Sequence, residues 1–361
     1  MLEALGLASQ DLTLSNPNPR VGCVLTDASG RVLGRGHTQH PGGPHAEIVA
    51  LRDAAVAGRS VVGATAWVTL EPCSHHGRTG PCCDALAAAG VARVVASLAD
   101  PNPLVAGQGF DRLRAAGLSV EIGPGATESR ELNIGFFSRM LRKTPWVRLK
   151  IAASLDGKTA LENGASQWIT GETSRVDGHG WRARADAVLT GIGTVLEDDP
   201  QLDVRLVAAT RQPHLVVIDS RLETPLDARL FQPKRRLFIY HAVPDSARQA
   251  ALEDRGATLI HLPDARAKVD LAAVLRDLAL REVNELHVEA GSKLNGSFVR
   301  EGLVDEFLVY LAPRLLGQGR DMAAFGPLAD LAHAVPLQFL SIETVGADLR
   351  IVARVAGREV F

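Results

Sequence analysis

Pro44-His45-Ala46-Glu47, then Pro72-Cys73 and, nine residues on, Cys82, decide how this chain is read. One imidazole nitrogen and two thiolates make a zinc ligand set. Three protein ligands leave a fourth position for water, which marks a catalytic rather than a structural site. Zinc lowers the pKa of that water toward neutrality. Glu47, two residues past His45, is placed to shuttle protons rather than to bind metal.

The order H-x-E…P-C is the known signature of zinc nucleobase deaminases. The chain departs from it in one respect. Eight residues, Ser74-His75-His76-Gly77-Arg78-Thr79-Gly80-Pro81, separate the cysteines where the usual pattern is P-C-x-x-C. Four cysteines could instead be buried small hydrophobes or, in a secreted protein, disulfides. The opening MLEALGLASQDLTLS is too polar for a secretory signal and lacks its basic region. A cytoplasmic location with reduced thiols is therefore expected, and it favours metal binding or catalysis for clustered Cys and His. Cys83 is the alternative second thiolate. Cys82 opens the helical stretch CCDALAAAG, where a helix N-terminus favours a thiolate. Cys83 lies about 100° further round that helix and is expected to pack. Cys23, inside Val21-Gly22-Cys23-Val24-Leu25, reads as a core strand residue. His37, His40, His75 and His76 read as polar loop residues, which beside a metal pocket can touch substrate.

Composition bounds the remaining choices. A chain of 361 residues suggests two domains on a prior of about 150 residues each. Hydrophobic content of 46% with 4% aromatic residues is ordinary for an α/β protein. A formal charge of −2 leaves no basic footprint for nucleic acid. No apolar stretch reaches the roughly 18 residues that a membrane span needs.

Strand and helix signals alternate along the first half. Strands are expected at Arg20 to Thr26 and Arg31 to Gly36, paired across Asp27-Ala28-Ser29-Gly30. A helix follows from His45 to Gly58 with Ile48, Leu51 and Ala55 on its inner face. Ala66 to Leu70, Val91 to Ser97 and Ser119 to Ile122 read as strands. Cys82 to Ala89, Gly109 to Ala116 and Glu128 to Met140 read as helices. The alternation predicts a largely parallel sheet covered on both faces, with ligands at strand ends and helix starts. The basic Arg142-Lys143-Thr144-Pro145 is the expected boundary, giving domains 1–144 and 145–361.

The second half reads as another α/β run. Strands are expected at Val147 to Ala153, Ala187 to Thr190, His214 to Asp219, Arg236 to His241, Thr258 to Leu262, Glu285 to Val288 and Glu306 to Leu311. Gly191-Ile192-Gly193-Thr194 could present backbone N–H groups to a phosphate, or simply be a tight turn. Glu289-Ala290-Gly291-Ser292 is a similar candidate. Arg182 and Arg205 could clamp a phosphate or be solvated surface residues.

Taken together, these residues resemble the bifunctional riboflavin-biosynthesis deaminase/reductase family. NPNPRVGCVL, HPGGPHAEIVAL, VTLEPCSHHGRTGPCCDAL and DPNPLVAGQG match its deaminase half. LKIAASLDGKTAL, SQWITGETSR, LTGIGTVLEDDPQLDVR, VIDSRLETP and VEAGSKLNGSFVREGLVDEFLVYLAPRLLG match its reductase half. The eight-residue gap between the cysteines is this family's own form. Gly80 replaces a usual proline and Ala290 a frequent glycine; neither removes a chemical group. Residues 229–281 match only loosely and receive no function.

The resemblance implies a cytidine-deaminase-like three-layer domain followed by a dihydrofolate-reductase-like domain. It implies zinc-dependent deamination of 2,5-diamino-6-(5-phosphoribosylamino)pyrimidin-4-one, then NADPH reduction of the ribosyl group to ribityl. One zinc per chain would sit on His45, Cys73 and Cys82, with Glu47 as general acid/base. Asn18 would read the ring, or merely make the turn before Pro19. Lys150, Asp156, Ser166, Arg182, Leu202, Arg205 and Glu289 would lie on the substrate side of the reductase. Ala152, Trp168, Thr170, Thr194, Asp198, Ser220 and Gly291 would lie on the cofactor side. Leu202 and Ala152 equally suit packing, Trp168 a pocket wall, and Asp156 the turn Leu155-Asp156-Gly157-Lys158. A homo-oligomer of unspecified size is expected, with a small-molecule substrate and neither nucleic acid nor membrane as partner. The alternatives are a nucleoside or tRNA deaminase with an unrelated second half, and a second half that only binds or oligomerises. Near-neutral charge opposes tRNA, and intact Lys150, Asp156, Arg182 and Glu289 oppose a non-catalytic module.

Overall fold

The computed structural model describes residues 1–10, 12–74, 80–103 and 105–361. His75 and His76 lie outside the described residues. The chain forms two compact units, Met1–Lys143 and Thr144–Phe361.

In the first unit the order is α1 (Leu2–Ala8), β1 (Gly22–Thr26), β2 (Val32–His37), α2 (Ala46–Val56), β3 (Thr65–Val68) and α3 (Cys82–Ala88). Then come β4 (Arg93–Ala96), α4 (Gln108–Ala115), β5 (Ser119–Ile122), α5 (Ala126–Leu132) and α6 (Ile134–Arg142). The five-stranded sheet runs β2-β1-β3-β4-β5. It is mixed rather than largely parallel: β1 is antiparallel to β2 and β3, and only β3-β4-β5 run parallel.

The inner face of α2 differs from the expected one. Ala46, Glu47, Ala50 and Ala54 are buried, whereas Ile48 and Leu51 are only half-buried and Ala55 is exposed. The cause is close approach. A Cβ on Gly36 would lie 2.2 Å from the Ala46 carbonyl oxygen, and one on Gly34 2.2 Å from that of Ala50. Small residues on both sides let helix and strand backbones nearly touch, so bulk is excluded from the face. Gly36 thereby fixes the start of α2, where His45 sits.

The expected helix from Glu128 to Met140 is two helices. Asn133 leaves the helical conformation, and its amide pairs with the backbone of Arg20, which precedes β1 rather than opening it. Its Oδ1 accepts from the Arg20 N–H at 2.7 Å and its Nδ2 donates to the Arg20 carbonyl at 3.0 Å. Asn competes readily with helical hydrogen bonding in this way.

The second unit contains β6 (Trp146–Ser154), β7 (Lys158–Leu161), α7 (Glu172–Arg184), β8 (Ala187–Gly191), α8 (Ile192–Asp198) and β9 (His214–Ile218). It continues with β10 (Leu237–His241), α9 (Ser246–Asp254), β11 (Ala257–His261), α10 (Leu271–Leu280), β12 (Glu285–Val288) and α11 (Ser292–Arg300). It ends with β13 (Glu306–Ala312), β14 (Gly319–Asp321), β15 (Leu337–Val345) and β16 (Asp348–Val355). A nine-stranded sheet runs β11-β10-β9-β8-β12-β6-β13-β16-β15. Its strands from β11 to β13 are parallel, and the β16-β15 hairpin adds antiparallel. The sequence signals anticipated none of β7, β14, β15 and β16.

The central strands have one apolar and one charged face. Val147, Leu149, Ile151, Leu286 and Val288 point into the core. Alternating with them are Arg148, Lys150, Glu285, His287 and Glu289. Arg148 is 2% exposed, and it donates to Glu306 at 2.7 Å and to Glu285 at 3.0 Å. Buried charges are tolerated only when paired in this way. Helix α7 closes this face, with the Trp181 ring 4.6 Å from the Arg148 guanidinium carbon.

Candidate active sites

In the first unit three ligand atoms converge. His45 Nδ1 lies 3.5 Å from Cys73 Sγ and 3.4 Å from Cys82 Sγ. A tetrahedral ion with Zn–S of about 2.3 Å and Zn–N of about 2.0–2.1 Å needs N···S edges of roughly 3.5 Å, so the donor set fits zinc. His45 caps the N-terminus of α2, Cys73 follows the corner after β3, and Cys82 is the first residue of α3. Cys83 turns away and donates its S–H to the Pro72 carbonyl at 3.1 Å and the Gly109 carbonyl at 3.4 Å. Cys23 is buried in the core.

Electrostatics separate the two converging thiols. Cys73 is lowered to about 4, first because it accepts from the Cys82 thiol and then from His45. The same contact and burial push Cys82 up. Cys83 is pushed up to about 12 by burial, as befits a packed thiol. Glu47, in the first turn of α2, is 3% exposed. Burial, reinforced by the Cys73 charge, raises its carboxyl to about 7, suited to giving and taking protons near neutrality.

Glu71, just before the Pro72-Cys73 corner, was not singled out from sequence. Its buried carboxylate accepts the backbone N–H groups of Asp100, Gly107, Gly109 and Phe110, at 3.1, 2.9, 2.8 and 3.4 Å. It thus holds the Asp100–Phe110 segment against the Cys73 corner. A Cβ on Gly109 would meet the Pro72 carbonyl at 2.1 Å, so the segment packs directly on that corner. Its position next to Pro72-Cys73 was the available signal. Asn18 is half-buried in a turn, its N–H donating to the Ser15 carbonyl at 2.8 Å.

In the second unit a cavity of about 670 Å³ opens beside β6, β12 and α7. It gathers Lys150, Ser166, Arg182, Leu202, Arg205 and Glu289 on the expected substrate list. It also gathers Ala152, Trp168, Thr170, Thr194, Asp198 and Gly291 on the cofactor list. Asp156 and Ser220 are not among its lining residues. Asp156 accepts from Ser154 Oγ at 2.6 Å and from the Gly317 N–H at 2.8 Å, which makes it an organiser of its turn. Ser220 follows β9, and its Oγ accepts from the Val269 N–H at 3.4 Å.

Glu289 is the hub of the cavity. It receives Arg182 through Nε and, at 2.9 Å, through an NH2 group; Lys150 lies at 3.4 Å and His287 Nε2 at 3.4 Å. Burial alone would raise its carboxyl, but Arg182 and then Lys150 outweigh it and hold it well below the ordinary range. Leu202 buries its side chain in the core, yet its backbone takes φ +51°. Such strain in a branched residue gathers at functional loops. Arg235 donates to the Leu202 carbonyl at 2.6 Å. Gly291 is the N-cap of the nine-residue helix α11 and makes no side-chain cap hydrogen bond. Its φ of −76° is one that any residue adopts. The cap's openness, rather than conformational freedom, is what the glycine provides. Trp168 stands 62% exposed, with Arg175 stacked on it at 4.6 Å.

Residues 1–98 match the cytidine and deoxycytidylate deaminase zinc-binding region, and residues 145–351 match the RibD C-terminal domain. The riboflavin biosynthesis protein RibD of Escherichia coli (strain K12) is 45% identical over 97% of this chain and 96% of that protein. Its counterpart in Aquifex aeolicus is 38% identical over 96% and 95%. Acinetobacter baumannii RibD superposes with a TM-score of 0.88 at 38% identity, covering 98% and 97% of the two chains. A Thermotoga maritima structure described as a diaminohydroxyphosphoribosylaminopyrimidine deaminase/5-amino-6-(5-phosphoribosylamino)uracil reductase gives 0.87 at 32% identity, covering 99% and 97%. A cytidine-deaminase-like unit and a dihydrofolate-reductase-like unit on one polypeptide, alike over nearly their whole length, place this chain in the RibD family of bifunctional deaminase/reductases of riboflavin biosynthesis.

Proposed function

We propose that the first unit deaminates 2,5-diamino-6-(5-phosphoribosylamino)pyrimidin-4-one and that the second reduces the product's ribosyl group with NADPH. The observation that carries this reading is the convergence of His45 Nδ1, Cys73 Sγ and Cys82 Sγ beside buried Glu47. Zinc held by His45, Cys73 and Cys82 supplies Lewis acidity and a water of lowered pKa. Glu47 takes a proton from the attacking water, delivers one to the ring nitrogen, and passes one to the departing ammonia. Its burial keeps bulk water from competing for those protons. Asn18 is assigned to the pyrimidine ring.

In the second unit NADPH, when bound, would be the source of hydride for the open-chain or imine form of the ribose. Lys150 and Glu289 face the reacting end, and Ser166 and Leu202 complete the substrate side. Arg182 and Arg205 face the 5-phosphate. Ala152, Trp168, Thr170, Thr194, Asp198 and the open N-terminus of α11 at Gly291 take the cofactor. Asp156 and Ser220 act from outside the cavity wall, Asp156 by fixing the turn after β6. A cytoplasmic location suits the free thiols Cys73 and Cys82. Among the described residues, no helix is long and apolar enough to cross a membrane.

The test is direct. The purified protein should release ammonia from the diamino substrate and then oxidise NADPH with the deaminated product. Ammonia release without NADPH oxidation would leave the second unit as a binding module and sink the two-step reading.

A further inference from the structure

The segment from Gln201 to Arg205 borders the cavity of the second unit through Gln201, Leu202 and Arg205, yet it belongs to no helix or strand. Backbone polar groups outside regular structure still need partners. Here side chains supply them, one residue after another. Arg182 donates to the Asp203 carbonyl at 3.0 Å. Gln212 spans Val204, accepting from its N–H and donating to its carbonyl, each at 2.8 Å. His179 Nδ1 accepts from the Arg205 N–H at 3.2 Å. The carbonyls of Gln201 and Leu202 share a single side chain, Arg235. Its Nη2 donates to Gln201, and its Nη1 donates to Leu202 at 2.6 Å.

Arg235 belongs to the stretch 229–281, which matches the family only loosely. The same stretch grips the loop twice more. The Arg229 N–H donates to Asp199 Oδ1 at 2.8 Å, and the Gln201 amide donates to Gln232 Oε1 at 2.7 Å. Leu202 and Leu230 also share one core cluster. Asp199 and Leu202 hold φ of +41° and +51°. Residues other than glycine keep such a backbone only where their surroundings enforce it. Arg235 is the side chain that holds the strained Leu202 peptide itself. Burial lowers its guanidinium to about 10, against the pull of Asp203, so it stays charged near neutrality. Hydrogen bonds from a charged donor are the stronger kind.

We propose that Arg235 is a positioning residue of the reductase: its two-point grip on the Gln201 and Leu202 carbonyls sets the loop against which the substrate binds. This rests on the reading of Leu202 and Arg205 as the substrate side of the cavity.

Arg235→Ala removes both bonds. Arg235→Lys keeps the charge but not the planar fork that reaches two carbonyls at once. In steady-state NADPH oxidation, Arg235→Ala should raise KM for the deaminated substrate by about fivefold or more, because a site loosens when its supporting groups are lost. kcat should change less than about twofold, since contacts remote from the reacting carbon are held about equally in ground and transition states. KM for NADPH should hold within the same limit, because Thr194 and Asp198 sit on α8, which is fixed by its own helix. Should Arg235→Ala fail to fold, Arg235→Lys carries the test, with KM for the deaminated substrate rising about twofold or more. A fall in kcat with both KM values unchanged would mark general support of the fold and overturn the proposal. Equal rises in the two KM values would overturn it as well. Amide hydrogen exchange of the free protein reads the loop without substrate. Residues 201–206 should exchange about tenfold faster in Arg235→Ala, while β8 and β12 keep their wild-type rates. Should wild type fail to oxidise NADPH, exchange decides alone. Acceleration confined to the loop sustains this inference while the proposed function fails, and unchanged exchange in folded Arg235→Ala overturns the inference.

Discussion

Arg182 and Glu289 form a two-point ion pair in the wall of the reductase cavity, with their side chains 13% and 10% exposed. The pair is more than a surface clamp. It cancels most of the charge that Glu289 would otherwise carry alone into a buried position. Lys150 and His287 supply the rest of its partners.

Arg182→Ala should therefore act twice. It should raise KM for the phosphorylated substrate by losing a donor, and it should destabilise the second unit by leaving Glu289 under-paired. Breaking a buried pair by removing one partner costs about 3–5 kcal/mol. The double variant Arg182→Leu/Glu289→Leu should be more stable than Arg182→Ala, though inactive in reduction. Urea unfolding of the three proteins checks this. Equal stabilities for Arg182→Ala and wild type would show that the pair is not structural.

Metal content tests the first unit. Cys73→Ser and Cys82→Ser should each lose zinc and deamination together, from about one zinc per chain. Cys83→Ser should keep the metal, because its sulfur is already committed to the Pro72 and Gly109 carbonyls. Cys23→Ser should keep it too, at some cost in core stability. Metal lost from Cys83→Ser but retained in Cys82→Ser would reassign the second thiolate.

Acid should weaken the second unit before protonation of its carboxylates does. His214 is lowered to about 4 by burial and then by Arg236, Arg211 and Arg235, and His179 is also lowered to about 4. His287 shifts the same way. Between the unfolded value near 6.5 and the folded values, the unfolded chain binds more protons. Stability is therefore fully present above about 6.5 and lost as pH falls toward 4. His214→Phe keeps an aromatic ring against Phe238, which His214 meets edge-on at 5.8 Å. It should flatten the slope of unfolding free energy between pH 7 and 5. An unchanged slope in that variant would remove His214 from the effect.

Legibility followed chemistry and local periodicity. The convergence of His45, Cys73 and Cys82 could be read because ligand type and spacing are local. So could β12, whose Glu285 and His287 alternate with Leu286 and Val288. The inner face of α2 could not, because Gly34 and Gly36 lie on another strand and their closeness selects alanine over Ile48 and Leu51. Nor could the break at Asn133, which depends on Arg20, more than a hundred residues away. β15 gave no alternation to detect: Phe339, Leu340 and Ile342 are all exposed. Arg182 and Glu289 were named separately, but their pairing is a tertiary fact.

The two chemistries should separate cleanly by mutation. The three proposed metal ligands and Glu47 belong to Met1–Lys143, and every residue assigned to reduction belongs to Thr144–Phe361. Glu47→Gln keeps side-chain size and polarity but cannot carry a proton. Zinc should remain, because Glu47 is not among the three converging ligand atoms. Deamination should fall by about 10²–10⁴, the usual loss when a general acid/base is removed. The same protein, given already deaminated substrate, should oxidise NADPH at close to the wild-type rate. Arg182→Lys, which keeps the charge but not the two-point geometry, should do the reverse, leaving ammonia release intact while reduction weakens. Ammonia release and NADPH oxidation are measured on each variant, with zinc content as the control. Normal ammonia release by zinc-loaded Glu47→Gln would remove Glu47 from the reaction. Loss of NADPH oxidation in that variant would show that reduction depends on the first unit.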